Sequence, residues 1–510
     1  MTQPAQRTVG RRSQGLRRNI GILGNFAFGY ADVAEGIYFT LGLVVIYAGA
    51  AATYAYLFAT TAYILTALCY AELASSYHQA GGAFVYARRA FGRNIAFLAA
   101  WALLLDYVVT TAISSLAAIG YLGYFFPQLN APLLIGGATA AAILFLMSLN
   151  ILGIGESARF SYFLVLFNLA GMALVLATGF LFSYRPGLNT LHFGTSPTYP
   201  NFLYAITIAM SGYLGIEVIS QTAGETRRPA KNIPRAVFLI SAAVVAATLS
   251  FSTLALGVRS YQDFLSNPTS INDPVSFIAL AFPNGWILAG FAAMLGMSVL
   301  LVAANAGIIG SSRISYAMSL DGVIPKAFGK LHKKRNTPFV SIIAFSSVSV
   351  ALALSGELSF VAELYNFGAL IAYVIVGLSL ISLRNKEKAV FRPFKAPGSI
   401  SIRPFWRRNT NEASESYERY TIPIVGVLSI IADLAIWLLV VVLHPLGRIF
   451  GSIWMGFGLL VLFAYTRIQK TNGSHPSGPD SAEVSPNPHL VDSQLREKGE
   501  DRQTRSNHSY

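Results

Sequence analysis

The sequence predicts an all-α integral membrane protein of about twelve transmembrane helices. Three observations carry that prediction. The chain has 510 residues, 54% of them hydrophobic and only 12% charged, where a soluble globular domain carries roughly 25% charged residues. Its mean hydropathy is +0.53, and apolar runs of bilayer-spanning length recur along it. Its basic residues then concentrate on alternate connecting segments, as cytoplasmic loops do.

The runs fall near 20–47, 50–71, 95–126, 132–152, 160–182, 201–222, 236–257, 286–310, 339–355, 358–382, 422–443 and 449–467. With the N-terminus in the cytoplasm, 34 of the 37 Lys and Arg lie on the inner side. Only Arg185, Arg259 and Arg448 lie on the outer side. This alternation predicts twelve spans with both termini cytoplasmic, and a plasma-membrane location. It also explains the net charge of +14 as orientation and contact with lipid rather than nucleic-acid binding. Residues 1–19 form a cytoplasmic tail without the apolar core and cleavage site of a secretory signal, so the first run is expected to be a span. Residues 383–421 make a basic cytoplasmic loop punctuated by Pro393, Pro397 and Pro404. The tail at 468–510 is polar and predicted to be disordered.

Function classes narrow quickly. One cysteine, Cys69, excludes a disulfide framework and a cysteine metal site; a small buried residue is the expected role. No nucleophile–base set, phosphate loop or metal-ligand cluster appears, so no enzyme and no cofactor are predicted. His78, His192, His332 and His444 fall in loops or at span ends and receive no role.

The acids carry the functional signal. No Lys or Arg lies inside any span, yet Asp32, Glu35, Asp106, Glu217 and Asp433 do, and Glu363 lies about a turn into one. A carboxylate in hydrocarbon needs a cavity, a proton or a partner. Such a group is either neutral, hydrogen-bonded between helices, or visited by a cation: a proton, a metal ion or a substrate ammonium. The four acids on the first, third and sixth spans suit a functional cavity. Asp433, read as having no polar companion nearby, suits a structural role, and Glu363 stays open.

The first span places Gly36 beside Glu35, and the sixth reads Ser211-Gly212-Tyr213-Leu214-Gly215-Ile216-Glu217. Glycine weakens a helix and admits close backbone approach; in membrane helices it also serves plain packing. Interrupted helices in corresponding positions of two halves point to a transporter's binding site, and spans one and six are five apart. On the third span Asp106, Thr110 and Ser114 share one face, which suits a cation site or proton path. Back-bonding to the helix is the alternative for Ser114.

Several blocks resemble the amino acid–polyamine–organocation permeases: Tyr70-Ala71-Glu72-Leu73-Ala74 with Gly81-Gly82-Ala83-Phe84-Val85-Tyr86; Gly215-Ile216-Glu217 with Asn232-Ile233-Pro234-Arg235; and Ser312-Arg313, Asp321-Gly322 and Thr337-Pro338. The resemblance implies a LeuT-like 5+5 inverted repeat, with repeats at about 20–182 and 201–382, plus two C-terminal helices, and alternating access. It implies a secondary transporter of an amino acid or related amine. By it, Ala34, Glu35, Gly36 and Ile37 match an unwound, carboxylate-binding first span. Ser211, Gly212, Tyr213 and Gly215 match the unwound sixth, with Tyr213 as an aromatic gate and Asp106 facing a substrate ammonium. Asn168 stands where proton-coupled relatives carry a lysine, and Asn305 is the one polar candidate where sodium-coupled relatives use hydroxyls. The coupling role then goes to Asp32, Glu35 or Glu217, with Thr110 beside them, and favours a proton over sodium. Asp32, Tyr38, Asp106, Tyr107, Thr110, Ser114, Gly215 and Glu217 also resemble a potassium-importing branch, the alternative reading. A substrate sensor is the third.

Overall fold

In a computed structural model, residues 20–79, 81–192, 194, 197–267, 269–402 and 420–471 are described. The N-tail, the C-terminal residues beyond 471, residues 403–419 of the basic loop and the Glu363 side chain lie outside the described residues. Clustering divides the chain into two units, 1–463 and 464–510. In the second, the described residues 464–471 are helical.

Among the described residues eighteen α-helices follow in order: α1 (Ile22–Ala34), α2 (Gly36–Ala48), α3 (Ala52–Ser76), α4 (Ala83–Phe91), α5 (Arg93–Leu122), α6 (Pro132–Leu152), α7 (Ile154–Phe182), α8 (Tyr199–Ser211), α9 (Val218–Gln221), α10 (Pro229–Val258), α11 (Tyr261–Ser266), α12 (Thr269–Asn272), α13 (Pro274–Ala279), α14 (Gly285–Leu320), α15 (Phe339–Ala353), α16 (Leu358–Lys386), α17 (Ile424–Leu443) and α18 (Pro445–Thr471). Among the described residues the strands are β1 (Ser399–Ile402) and β2 (Tyr420–Pro423), an antiparallel pair with Ser399 opposite Pro423. Two stretches at either end of the basic loop are therefore paired as strands.

Nine stretches among the described residues are long and apolar enough to cross a membrane. The first, Ile22–Ser76, is 55 residues long. A straight helix of that length would reach roughly 80 Å, far beyond a hydrocarbon core of about 30 Å. It reverses through a 3₁₀ turn at Gly49–Ala51. The shorter apolar helix α15 and the broken pair α8–α9 occupy the predicted ninth and sixth spans.

The interior is unusual in its polarity. Of the twelve largest fully buried side chains, eleven are tyrosines. In membrane proteins tyrosine ordinarily sits at the bilayer interface. Here the rings fill the core, while hydroxyls such as Tyr121, bonded to Tyr38 C=O at 2.7 Å, tie helices together. One face of the fold carries buried ion pairs. Arg384 and Arg392 both meet Glu72, and Glu72 also accepts from Ala396 N–H at 2.7 Å. Arg313 meets Glu225 at 3.0 Å. Ile20 pairs with Glu225 and Arg227 through backbone bonds of 3.0 and 2.8 Å, so the segment entering α1 is anchored to the segment leaving α9.

On the opposite side Asp273 caps α13, accepting from Ser276 N–H at 3.1 Å. Burial pushes its carboxyl up to about 7. A folded-state value above the unfolded one means the native protein holds the proton more tightly. The stabilising contribution is full at low pH and is lost as pH rises from about 4 to about 7. Asp273→Asn keeps the cap and removes the titration. Thermal unfolding across this window is expected to show a flatter pH profile in the variant; an unchanged profile would place the titration elsewhere.

Candidate substrate and cation site

The site forms where two broken helices cross. The first break is small. Glu35 separates α1 from α2, yet its backbone stays in the right-handed helical region at φ −58°, ψ −33°. The ladder restarts when Tyr38 N–H donates to Glu35 C=O at 2.9 Å. Gly36 and Ile37 thus supply the first-turn amides of α2, groups that a helix cannot satisfy from within. The extended unwinding expected of the first span is therefore reduced to one residue. The second break is long. Residues 212–217 form consecutive turns between α8 and α9, with Gly215 at φ +113°.

Two glycines let these breaks meet. A Cβ on Gly36 would overlap Gly212 Cα and C=O, so the two backbones are in direct contact. A Cβ on Gly215 would stand 2.7 Å from Asp32 Oδ2, in a conformation that L side chains rarely adopt. Thr40 holds the crossing from the α2 side, donating to Gly36 C=O at 2.6 Å and bonding Tyr56 Oη at 2.8 Å.

Around this crossing lie the four acids. Asp32 is 2% exposed, Glu35 0%, Asp106 1% and Glu217 0%, so solvent reaches none of them. Asp32 interacts electrostatically with Glu217, Glu35 and Asp106, and Asp106 with Glu217 and Glu35. Among the described residues no ion pair engages any of the four. Their partners are neutral. Glu217 Oε2 accepts from Tyr373 Oη at 2.5 Å and from Gly215 N–H at 3.2 Å. Glu35 Oε1 accepts from Tyr365 Oη at 3.4 Å. One oxygen of each acid (Asp32 Oδ1, Glu35 Oε2, Asp106 Oδ1, Glu217 Oε1) is buried without a protein hydrogen-bond partner. Four negative charges cannot persist so close, in so little solvent, without protons or a cation. The arrangement can therefore hold protons, a cationic ligand, or both in exchange.

The other expected residues divide. Thr110 Oγ1 donates back to Asp106 C=O at 2.9 Å. It is Ser114, the suspected back-bonder, whose buried hydroxyl lies beside the Glu35 carboxyl. Tyr213 is fully buried, stacked on Tyr63 at 5.2 Å, and accepts from Thr60 Oγ1 at 2.6 Å. Ala34, Ile37 and Ser211 line the crossing as buried neighbours in sequence. Asn168 is bonded to the Tyr30 and Tyr38 hydroxyls and to Leu295 C=O, bracing α7 against the first span. Asn305 bonds Asn150 at 2.6 Å and Ser161 at 3.1 Å. These partners are hydroxyls, a backbone carbonyl and another asparagine rather than the four carboxyls. Asp433 corrects its reading in one respect: it has polar companions, accepting from Thr66 at 2.7 Å and Ser429 at 3.0 Å. His444, given no role, is buried and stacked on Tyr204, with Thr207 Oγ1 at 2.7 Å from its Nε2.

Sequence reasoning missed Tyr365 and Tyr373 on α16, which hold Glu35 and Glu217. The signal was present: tyrosines well inside a span, away from the interfaces where they usually sit. Among the described residues no three His, Cys, Asp or Glu side chains are grouped to hold a metal ion.

Comparison with known proteins decides the family. The sequence model described as "Amino acid permease" matches residues 20–469. The chain belongs to the amino acid permease family. It is a multi-pass membrane transporter and not an enzyme. Among its relatives, the branched-chain amino acid permease BcaP of Bacillus subtilis is 25% identical over 90% of this chain and 95% of its own length. The methylthioribose transporter of the same organism is 27% identical over 76% and 80%. The low-affinity putrescine importer PlaP of Escherichia coli is 28% identical over 76% of this permease and 80% of the importer.

Proposed function

We propose that this permease is a proton-coupled secondary transporter that carries an amino acid or related organic amine across the plasma membrane by alternating access. The proposal includes twelve spans, a 5+5 inverted repeat with two further C-terminal helices, and cytoplasmic termini on the basic face. One observation carries it: four buried carboxyls with no basic partner among the described residues surround the crossing of two interrupted helices. Spans interrupted at corresponding places of two halves are where transporters bind substrate. Free first-turn amides at Gly36 and Ile37 suit a carboxylate, and the acids suit an ammonium. Relatives named for branched-chain amino acids and for putrescine bracket the substrate between these two chemistries. The surplus of acid over base favours a substrate with positive charge to spare, such as a basic amino acid or a polyamine.

The test is binding followed by flux. Thermal shift across the amino acids, polyamines, potassium and sodium identifies the ligand; a shift with potassium alone would overturn the permease reading for this site. Uptake into vesicles is then measured with and without an inward proton gradient, and uptake indifferent to that gradient would overturn proton coupling. Glu35→Gln tests the outer acid. The amide retains the shape and an acceptor for Tyr365, so folding is expected to survive. Either the order of substrate affinities or the pH dependence of uptake is expected to change roughly tenfold, the middle of the range for coupled sites. Wild-type transport in this variant would make Glu35 a packing acid.

A further inference from the structure

A chain of buried tyrosines leads from the acid cluster to the basic face by a route that shares no helix with the glycine crossing. It starts at Tyr373 of α16, whose hydroxyl is 2.5 Å from Glu217 Oε2. The Tyr70 ring of α3 stands edge-on to Tyr373 at 5.8 Å, and Tyr86 of α4 edge-on to Tyr70 at 6.5 Å. Tyr77, just beyond α3, follows at 6.2 Å from Tyr86. Its hydroxyl donates to Glu387 Oε2 at 2.9 Å. Glu387 is 26% exposed and pairs with Arg89 at the surface. The run therefore begins and ends on a carboxyl, one sealed from solvent and one open to it.

The middle of the run is what needs explaining. Tyr70 is 1% exposed and its hydroxyl has no hydrogen-bond partner among the described residues, while the hydroxyl of the fully buried Tyr86 lies beside Ser220. Both polar atoms of the Gln221 side chain are also buried and unpartnered. Gln221 and Ser220 press against Gly82, four residues before Tyr86. A buried polar group left without a partner is destabilising. Phenylalanine would fill the same space at Tyr70 without that cost. Packing alone therefore does not account for the Tyr70 hydroxyl and the Gln221 amide, whereas passage of protons or water does.

We propose that Tyr373, Tyr70, Tyr86 and Tyr77 form a proton path from Glu217 to Glu387, separate from the substrate's own route. It rests on the proton-coupled reading above. A phenol accepts a proton at oxygen while releasing its own, so no net charge stays on any ring. Glu217 gives its carboxyl proton to Tyr373 Oη, and the Tyr373 proton passes on towards Tyr70. Tyr86 and Tyr77 repeat the step, directly or through a bridging water, and Glu387 receives the proton and releases it to solvent. One proton leaves Glu217, one enters the water at the surface, and every hydroxyl is restored by rotation. Rings in mutual contact along this line favour a proton or a water over an organic amine.

The experiment follows hydrogen–deuterium exchange of buried carboxyls by infrared difference spectroscopy in the purified full-length protein, which needs no substrate. The band of interest is the protonated-carboxyl signal that disappears in Glu217→Gln. Tyr70→Phe and Tyr86→Phe are expected to slow exchange of that band at least about tenfold, each alone, while thermal unfolding stays within a few degrees of wild type. Two positions guard against misfolding of one. Wild-type exchange rates in both variants would overturn the path. So would the absence of any carboxyl band lost in Glu217→Gln, because Glu217 would then hold no proton to move. Vesicle uptake with and without a pH gradient reports separately on proton coupling. A coupled wild type with unslowed variants would remove the path and leave the transporter reading standing.

Discussion

Glu217→Gln is expected to abolish proton-driven accumulation while leaving the protein folded and able to bind. Glu217 is the inner acid of the cluster, with its Oε2 held by Tyr373 at 2.5 Å and by Gly215 N–H at 3.2 Å. The amide oxygen of glutamine can keep both bonds, since each partner is a donor. What the substitution removes is the ability to gain and lose a proton. If the proton and the substrate are coupled through this group, the coupling free energy disappears with it. Such energies are typically 1–3 kcal/mol, or roughly 5- to 150-fold in affinity. Accumulation against a gradient should therefore fall to passive equilibration, while exchange of labelled for unlabelled substrate at equal pH continues. Vesicle measurements of both fluxes decide the matter. Retained accumulation would shift the coupling role to Asp32 or Asp106, the neighbouring carboxyls. Loss of exchange as well would make Glu217 part of substrate binding.

The sequence carries the membrane class and the acids plainly because both depend on composition at one depth. A span without Lys or Arg but with Asp32, Glu35, Asp106 or Glu217 is anomalous whatever its neighbours are. The paired glycines at 36 and 215 were legible for the same reason. What could not be read was who answers whom across helices. Ser114 and Thr110 look alike in sequence, and only the packing of α5 decides that Thr110 bonds to its own backbone while Ser114 is left beside Glu35. Asp433 gave no local hint of Thr66, which is far away in the chain. Tyr365 and Tyr373 lie more than a hundred residues from the glutamates they hold. The depth of the first break was also illegible. Gly36 signals close approach, but close approach is satisfied here by contact with Gly212 while the helix stays nearly continuous through Glu35.

Gly36→Val is expected to be the most damaging single change in the crossing. The position has no room: a Cβ there overlaps backbone atoms of Gly212, which no side-chain rotation can move aside. Overpacking a well-filled interior commonly destabilises by 1–3 kcal/mol, and a clash with backbone belongs at about 3 kcal/mol or more. The two breaks would have to separate, pulling the first-turn amides of α2 away from residues 212–217. Thr40 would lose its dual hold on Gly36 C=O and Tyr56 as the helix shifts. Gly36→Ala already places the offending atom, so it should reproduce most of the loss, and β-branching should add to it. Gly24, on α1, gives the comparison. A Cβ there meets only the Ile20 side chain at 2.9 Å, which is able to turn away. Gly24→Ala should therefore be mild where Gly36→Ala is severe. Thermal unfolding and substrate binding of the three variants test this ordering. Near-wild-type binding by Gly36→Ala would mean that the two interrupted helices do not meet backbone to backbone at this glycine, and the site would have to be built elsewhere along α1.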